Sequence, residues 1–90
     1  MSYFDNIRTF VRVYELGSMS AAGRDLRISS AVTSSRISQL EDHLGVQLFH
    51  RHTRGVALTT AGRRLYPVLT QAFAMMMQEV EQIAADAAEL

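Results

Sequence analysis

The chain has 90 residues, 48% of them hydrophobic and 20% charged, which is enough for one domain with its own core and too short for two. It has no cysteine, which excludes disulfide bridges, thiolate metal sites and cysteine nucleophiles. Nine basic and nine acidic residues give a net charge of zero. The longest uncharged stretch, residues 65–78, is shorter than the about 20 apolar residues of a membrane span. Asp5 and Arg8 lie where a signal peptide would be apolar, so a soluble, cytoplasmic domain is predicted.

The charges are unevenly distributed along the chain. All nine basic residues are arginines between Arg8 and Arg64, and five acids oppose them there, so residues 1–64 carry a net charge of +4. Residues 65–90 contain four acids and no base. A guanidinium can donate two hydrogen bonds to one phosphate or base edge, so the basic part is compatible with a nucleic-acid partner. A solvated, arginine-rich surface explains the charge alone equally well.

The first segment predicts a helix over residues 4–16, ended by Gly17. Apolar residues recur on one face at helical spacing and predict its inward side: Phe4, Ile7, Phe10, Val11 and Tyr14.

A short second helix is predicted to follow Ser20 as its N-cap and to extend to Leu26. Its inner face consists of alanine and glycine. Because these residues are small, another helix can approach closely, and tight packing could offset the low helix propensity of Gly23.

A third helix is predicted between a cap at Ser29 or Ser30 and Gly45. Its inward stripe comprises Thr33, Ile37, Leu40 and Leu44. The opposite face is unusually rich in serine, with Arg36 at its flank: Ser30, Ser34, Ser35 and Ser38. Serine is a mediocre helix former, but short hydroxylated side chains allow close approach to a surface rich in donors and acceptors, such as a DNA groove. A soluble helix face with a long cap region remains the alternative.

Residues 46–60 predict a β-hairpin, with strands at 48–51 and 56–59 and a four-residue connection at 52–55. Arg54 is predicted to lie exposed at its tip. His50 and His52 share one face of the first strand but have no third ligand nearby, so no metal site and no cofactor are predicted.

A last helix, capped by Thr59 or Thr60, is predicted to reach towards Leu90, with a kink or local break at Pro67. Its apolar residues alternate in steps of three and four: Tyr66, Leu69, Phe73, Met76, Val80, Ile83, Ala87 and Leu90. This heptad stripe predicts a dimerisation helix over residues 63–90, because a monomer of 90 residues has little else to cover so long a stripe. Packing against the chain's own domain is the alternative.

The order of these elements, mainly helices with one small hairpin, suggests a winged helix-turn-helix followed by a long helix. The sequence also carries ordered motifs: Gly17 to Ala22, Leu26, Ile28-Ser29, Ile37, Leu40-Glu41, Leu44 to Val46, Leu48 to Arg51, and Leu58 to Gly62. Together they resemble the DNA-binding domain of LysR-type transcriptional regulators over residues 3–64. The helix-turn-helix would span about 18–44 and the wing about 46–59.

The resemblance implies a homodimer, joined by the linker helices, on an interrupted palindrome in double-stranded DNA of a bacterial nucleoid. The third helix would enter the major groove, and Arg54 would enter the minor groove. It places the following residues at the DNA: Ser20, Ser29, Ser30, Ala31, Ser34, Ser35, Arg36, Ser38, Arg51 and Arg54. Arg51 could instead hold the wing through an internal ion pair.

Departures from the family weaken the expected direct readout of bases. Many members carry Gln or Pro where Ser30 stands here, Pro or Ser at Ala31, and Arg or Lys at Ser35, so greater reliance on DNA shape is predicted. Thr33 replaces the usual aliphatic residue.

The resemblance further implies a C-terminal effector-binding domain, small-molecule binding and a tetramer in a full-length parent, none of which these residues contain. An enzyme is disfavoured because nucleophile-elbow and phosphate-loop motifs are lacking. A small dimeric adaptor that binds protein through the methionine-rich stripe remains the alternative function.

Overall fold

The computed structural model describes residues 3–89 as four helices and one two-stranded antiparallel sheet. In chain order the elements are α1 (Tyr3–Leu16), α2 (Met19–Leu26), α3 (Ser30–Leu44), β1 (Phe49–His52), β2 (Gly55–Leu58) and α4 (Thr60–Ala88). The predicted winged helix-turn-helix with a long final helix is confirmed. None of the helices within residues 3–89 is both long and apolar enough to span a membrane.

Each helix after the first begins at a hydroxyl N-cap. Ser29 caps α3 by accepting the amide of Val32 at 3.0 Å, and Thr59 caps α4 by accepting the amide of Gly62 at 3.1 Å. For α2 the predicted cap Ser20 is wrong. Ser18 accepts the amide of Ala21 because its extended backbone leads directly into the helix.

The core lies where α1, α3 and the start of the wing meet. Its largest fully buried apolar side chains are Phe10, Val13, Ile37, Leu48 and Phe49. The rings of Phe10 and Phe49 are 5.1 Å apart, so this aromatic pair joins α1 to the wing.

The inward face of α1 differs from the prediction. Asn6 and Thr9 are buried, whereas Phe4 and Tyr14 are exposed at the edge that contacts α4. Asn6 donates to the Oε1 of Gln39, and the hydroxyl of Thr9 donates to the carbonyl of Asp5. Burial is acceptable for these polar groups because each one has a partner.

Helices α2 and α3 pack closely at Gly23. A Cβ there would lie 2.9 Å from the carbonyl oxygen of Ile28 and 3.0 Å from the hydroxyl of Thr33, so the small inner face predicted for α2 has a clear packing reason. The predicted inward stripe of α3 is wrong at its last member. Leu44 is exposed because α3 ends there, beyond the core.

The wing has a tighter turn than predicted. Phe49 pairs with Leu58, and His52 pairs with Gly55, so only residues 53 and 54 form the turn. The predicted four-residue connection is therefore wrong, because its outer residues continue the antiparallel ladder.

Helix α4 is continuous through Pro67, so no local break occurs. Its first half packs against α1. The rings of Tyr66 and Tyr14 are 4.7 Å apart, and those of Phe73 and Phe4 are 5.9 Å apart. The second half of the helix is exposed.

The predicted dimerisation stripe is thus divided. Tyr66, Leu69 and Phe73 are partly buried against the chain's own core, so for these three the alternative of packing within the domain is observed, and their role in a dimer stays a prediction. Burial and a hydrogen bond to Glu15 raise the pKa of Tyr66. The remaining described members are exposed: Met76, Val80, Ile83 and Ala87. Leu90 lies outside the described residues.

Candidate nucleic-acid interface

The serine-rich face of α3 is open along most of its length. Ser30, Ala31 and Ser35 are exposed, whereas Ser34 and Ser38 are half-buried beside the wing. Ser29 is exposed but its hydroxyl is engaged as the cap. The helix therefore presents small side chains over which another molecular surface could come close to the backbone.

The wing is fastened to α3 by Glu41. One carboxylate oxygen accepts the amide of Leu48 at 2.7 Å and that of Phe49 at 3.4 Å. The other oxygen lies 3.6 Å from a guanidinium nitrogen of Arg51, and the Glu41 side chain is only 12% exposed. This anchor has only a weak signal in the sequence, an acidic residue that directly follows the buried Leu40.

Arg51 therefore makes the internal ion pair that was one of its two predicted roles. Its guanidinium also donates to the hydroxyl of Ser34 at 3.5 Å and remains 44% exposed. Both contacts hold the side chain at the boundary between α3 and the wing, so the internal pair and a contact with an outside phosphate are compatible.

Arg54 is exposed in the turn of the wing, next to the beginning of α2. The residues around this end of the wing include Ser18 and Met19. Among residues 3–89, Arg54 has no hydrogen-bond or ion-pair partner. The predicted contact residue Ser20 is also exposed, in the first turn of α2.

Arg36 is directed into the domain. It is half-buried and its guanidinium donates to the hydroxyl of Thr9 at 3.4 Å, which joins α3 to α1. Sequence reasoning placed this arginine at the flank of α3 but could not identify its partner. Its predicted contact with DNA stays a prediction.

The ion pairs of Arg12 lie on another part of the domain. Arg12 contacts Asp25 and Glu15 at 2.9 Å each, and its hydrogen bond lowers the pKa of the Asp25 carboxyl. No group of three or more His, Asp or Glu side chains suited to a metal ion occurs within the described part of the chain.

Known proteins share this sequence pattern and this fold. The family model of bacterial regulatory helix-turn-helix proteins of the LysR family matches residues 4–63. The chain belongs to the LysR family. The LysR-family chain is 42% identical over 84 residues to the uncharacterized HTH-type transcriptional regulator y4mQ of Sinorhizobium fredii, covering 93% of this chain and 28% of that protein.

A second relative is the HTH-type transcriptional activator AaeR of Escherichia coli, 39% identical over 83 residues that make up 92% of this chain and 26% of that protein. The LysR-family chain thus spans about a quarter of the length of these relatives.

Two solved structures match nearly the whole chain. The DNA-binding domain of BenM in complex with catB site 1 DNA is 30% identical, with a TM-score of 0.86 and coverage of 97% of this chain and 94% of that one. The DNA-binding domain of CbnR in complex with DNA is 29% identical, with a TM-score of 0.81 and coverage of 96% and 99%. The LysR-family fold therefore extends through α4.

Proposed function

We propose that this LysR-family chain binds double-stranded DNA sequence-specifically and serves in transcription regulation. The observation that carries the proposal is the likeness, over 97% of the chain, to a domain solved in complex with DNA. The exposed serine face of α3 and the unpartnered Arg54 supply a suitable surface, since hydroxyls and guanidinium groups bond phosphates and base edges.

In this proposal α3 enters the major groove with Ser30, Ala31, Ser34 and Ser35 nearest the bases. Arg54 reaches the adjacent minor groove, whose negative potential is strongest where A·T-rich DNA is narrow. Ser38 of α3 and Arg51 of β1 lie where α3 and the wing meet, and in this proposal they contact a phosphate there.

In this proposal two copies of the chain dimerise through the second half of α4. Met76, Val80 and Ile83 are about half exposed or more, at 46%, 59% and 60%, and follow the heptad spacing. Met76 also lines the groove between α1 and α4, whereas Val80 and Ile83 are not among the residues that line it. Two copies related by a two-fold axis would contact an interrupted palindrome.

In-vitro selection from a pool of randomised duplexes tests the proposal directly. We expect the 90-residue chain to enrich a two-fold symmetric site with A·T-rich flanks. No retention of duplex at low salt would contradict DNA binding and favour the adaptor alternative, in which the methionine-rich part of α4 binds protein.

The affinity for the selected duplex should fall steeply with salt. Each phosphate neutralised by an arginine releases condensed counterions, so the logarithm of the association constant should fall by about 0.9 per contact for each unit in the logarithm of salt concentration. Fluorescence anisotropy titrations across a range of salt concentrations measure this slope. A flat profile would contradict phosphate contacts.

Arg54→Ala should raise the Kd for the selected duplex by about tenfold or more at moderate salt, because it removes the guanidinium proposed for the narrow minor groove. The matched control is Arg8→Ala, which removes the same charge from an exposed arginine in the groove between α1 and α4; because Met76 also lines this groove, sedimentation is used to verify that the control variant has the same oligomeric state as the unmodified chain. The Kd of the control should change little. Equal Kd values for Arg54→Ala and the unmodified chain would show that the wing tip does not contact DNA.

A further inference from the structure

The connection between α2 and α3 has an unusual backbone at Arg27. Its φ of 61° and ψ of 42° place it in the left-handed region, and it is the one non-glycine residue with positive φ among residues 3–89. The Cβ of an L-residue is crowded in this conformation, which glycine adopts without penalty. The chain uses Gly17 at the end of α1 and Gly45 at the end of α3 for the same purpose.

The fold requires the left-handed conformation at this position but does not require an arginine. The backbone amide of Arg27 donates to the carbonyls of Arg24 and Gly23, which closes α2. The Arg27 side chain is exposed and has no hydrogen-bond or ion-pair partner within residues 3–89. A glycine would therefore make the same turn with less strain, and no described contact would be lost.

The position of Arg27 in the fold brings its positive charge close to the proposed DNA contacts. It lies two residues before Ser29, the cap of α3, at the end of that helix where Ser30 and Ala31 are exposed. These two residues are among those that the proposed function places nearest the bases. A long, cationic side chain next to them can reach a phosphate that flanks the groove.

We propose that Arg27 is a DNA-phosphate contact and that its strained backbone is kept for the sake of its charge. The inference rests on the proposed function. It assigns to one residue opposite effects on folding and on binding, because the strain destabilises the domain while the guanidinium strengthens its hold on DNA.

The test compares Arg27→Gly and Arg27→Lys with the unmodified 90-residue chain, using the duplex obtained by selection. Arg27→Gly should raise the thermal unfolding midpoint by a few degrees, since it relieves the left-handed strain. It should also raise the Kd by about threefold or more and lower the salt slope by about 0.9 per copy. Arg27→Lys keeps the charge and the strain, so its midpoint, Kd and salt slope should all stay close to those of the unmodified chain.

Arg8→Ala serves again as the charge-matched control. A glycine variant that unfolds at a higher temperature but binds with unchanged Kd and salt slope would overturn the inference and leave the proposed function intact. A glycine variant that is less stable than the unmodified chain would also overturn it, because the strain would then be absent. Failure of the unmodified chain to retain any duplex would instead refute the proposed function.

Discussion

Glu41→Ala should destabilise the domain by about 2–4 kcal/mol, because it leaves the amides of Leu48 and Phe49 without their acceptor next to the core. Both residues are almost fully buried, at 1% exposure, and the carboxylate is the partner their amides have. The half-exposed ion pair with Arg51, at 3.6 Å, adds little to this loss. Chemical denaturation monitored by circular dichroism measures the change in unfolding free energy.

The matched control for this prediction is Asp42→Ala. Asp42 is the next residue along α3 and carries the same charge, but it is exposed. Its replacement should change the unfolding free energy by no more than about 0.5 kcal/mol. Similar losses for the two variants would mean that removing a negative charge, rather than losing the amide acceptor, determines the effect. Glu41→Gln, which keeps one acceptor oxygen, should fall between Glu41→Ala and the unmodified chain.

Gly62→Ala should cost about 2 kcal/mol or more in unfolding free energy, although alanine is the better helix former. A Cβ at this buried position in the first turn of α4 would overlap the carbonyl oxygen of Leu48 and lie 3.0 Å from a methyl carbon of Leu58. The carbonyl belongs to the backbone and also accepts the amide of Thr59 at 2.9 Å, so it cannot move without disturbing the wing. Overpacking of this kind costs about 1–3 kcal/mol and sometimes more.

Steric overlap and helix propensity predict opposite signs for the change in unfolding free energy of Gly62→Ala. Helix propensity alone would have Gly62→Ala stabilise the domain by up to about 1 kcal/mol. Ala72→Gly, at an exposed position of the same helix, measures the propensity difference without the steric contact. If Gly62→Ala proves stabilising by the amount that Ala72→Gly destabilises, the close approach of α4 to the wing does not restrict position 62.

Much of the fold was predictable because it depends on signals local in the sequence. The helix ends at Gly17 and Gly45 and the cap at Ser29 follow from backbone preferences of single residues. The cap of α2 was assigned to the wrong serine because Ser18 and Ser20 offer the same hydroxyl. Only the three-dimensional course of the chain after α1 determines which one meets the free amide.

The error on the inward face of α1 has another origin. Hydropathy periodicity assigns Asn6 and Thr9 to the solvent side, but both are buried because Gln39 and the Asp5 carbonyl satisfy them. Arg36 and Glu41 acquire their structural roles in the same way, from partners that lie 27 residues before and seven residues after them in the chain. Such polar pairs leave no hydropathy periodicity in one sequence.

For the candidate site, the sequence predicted the open face of α3 and the exposed Arg54, since both depend on residue type and on position in an element. It left the two roles of Arg51 open, and the strain at Arg27 could not be foreseen. An arginine in a left-handed conformation is unusual, so the backbone angle becomes evident only when α2 and α3 are packed.

The uninterrupted course of α4 has a consequence for how operator sites are told apart. Its 29 residues extend over roughly 43 Å at 1.5 Å per residue, and its first turn is fixed to the wing by Thr59 and Gly62. In the proposed dimer a continuous helix, not an irregular linker, connects each DNA-contacting domain to the dimer contact. The length of this helix would therefore fix the distance between the two DNA contacts. One base pair more or less between the half-sites would rotate one half-site about the DNA axis by about a tenth of a turn, out of reach of its α3. The spacing of the half-sites would then contribute to specificity alongside base contacts, which suits a contact surface made largely of serines.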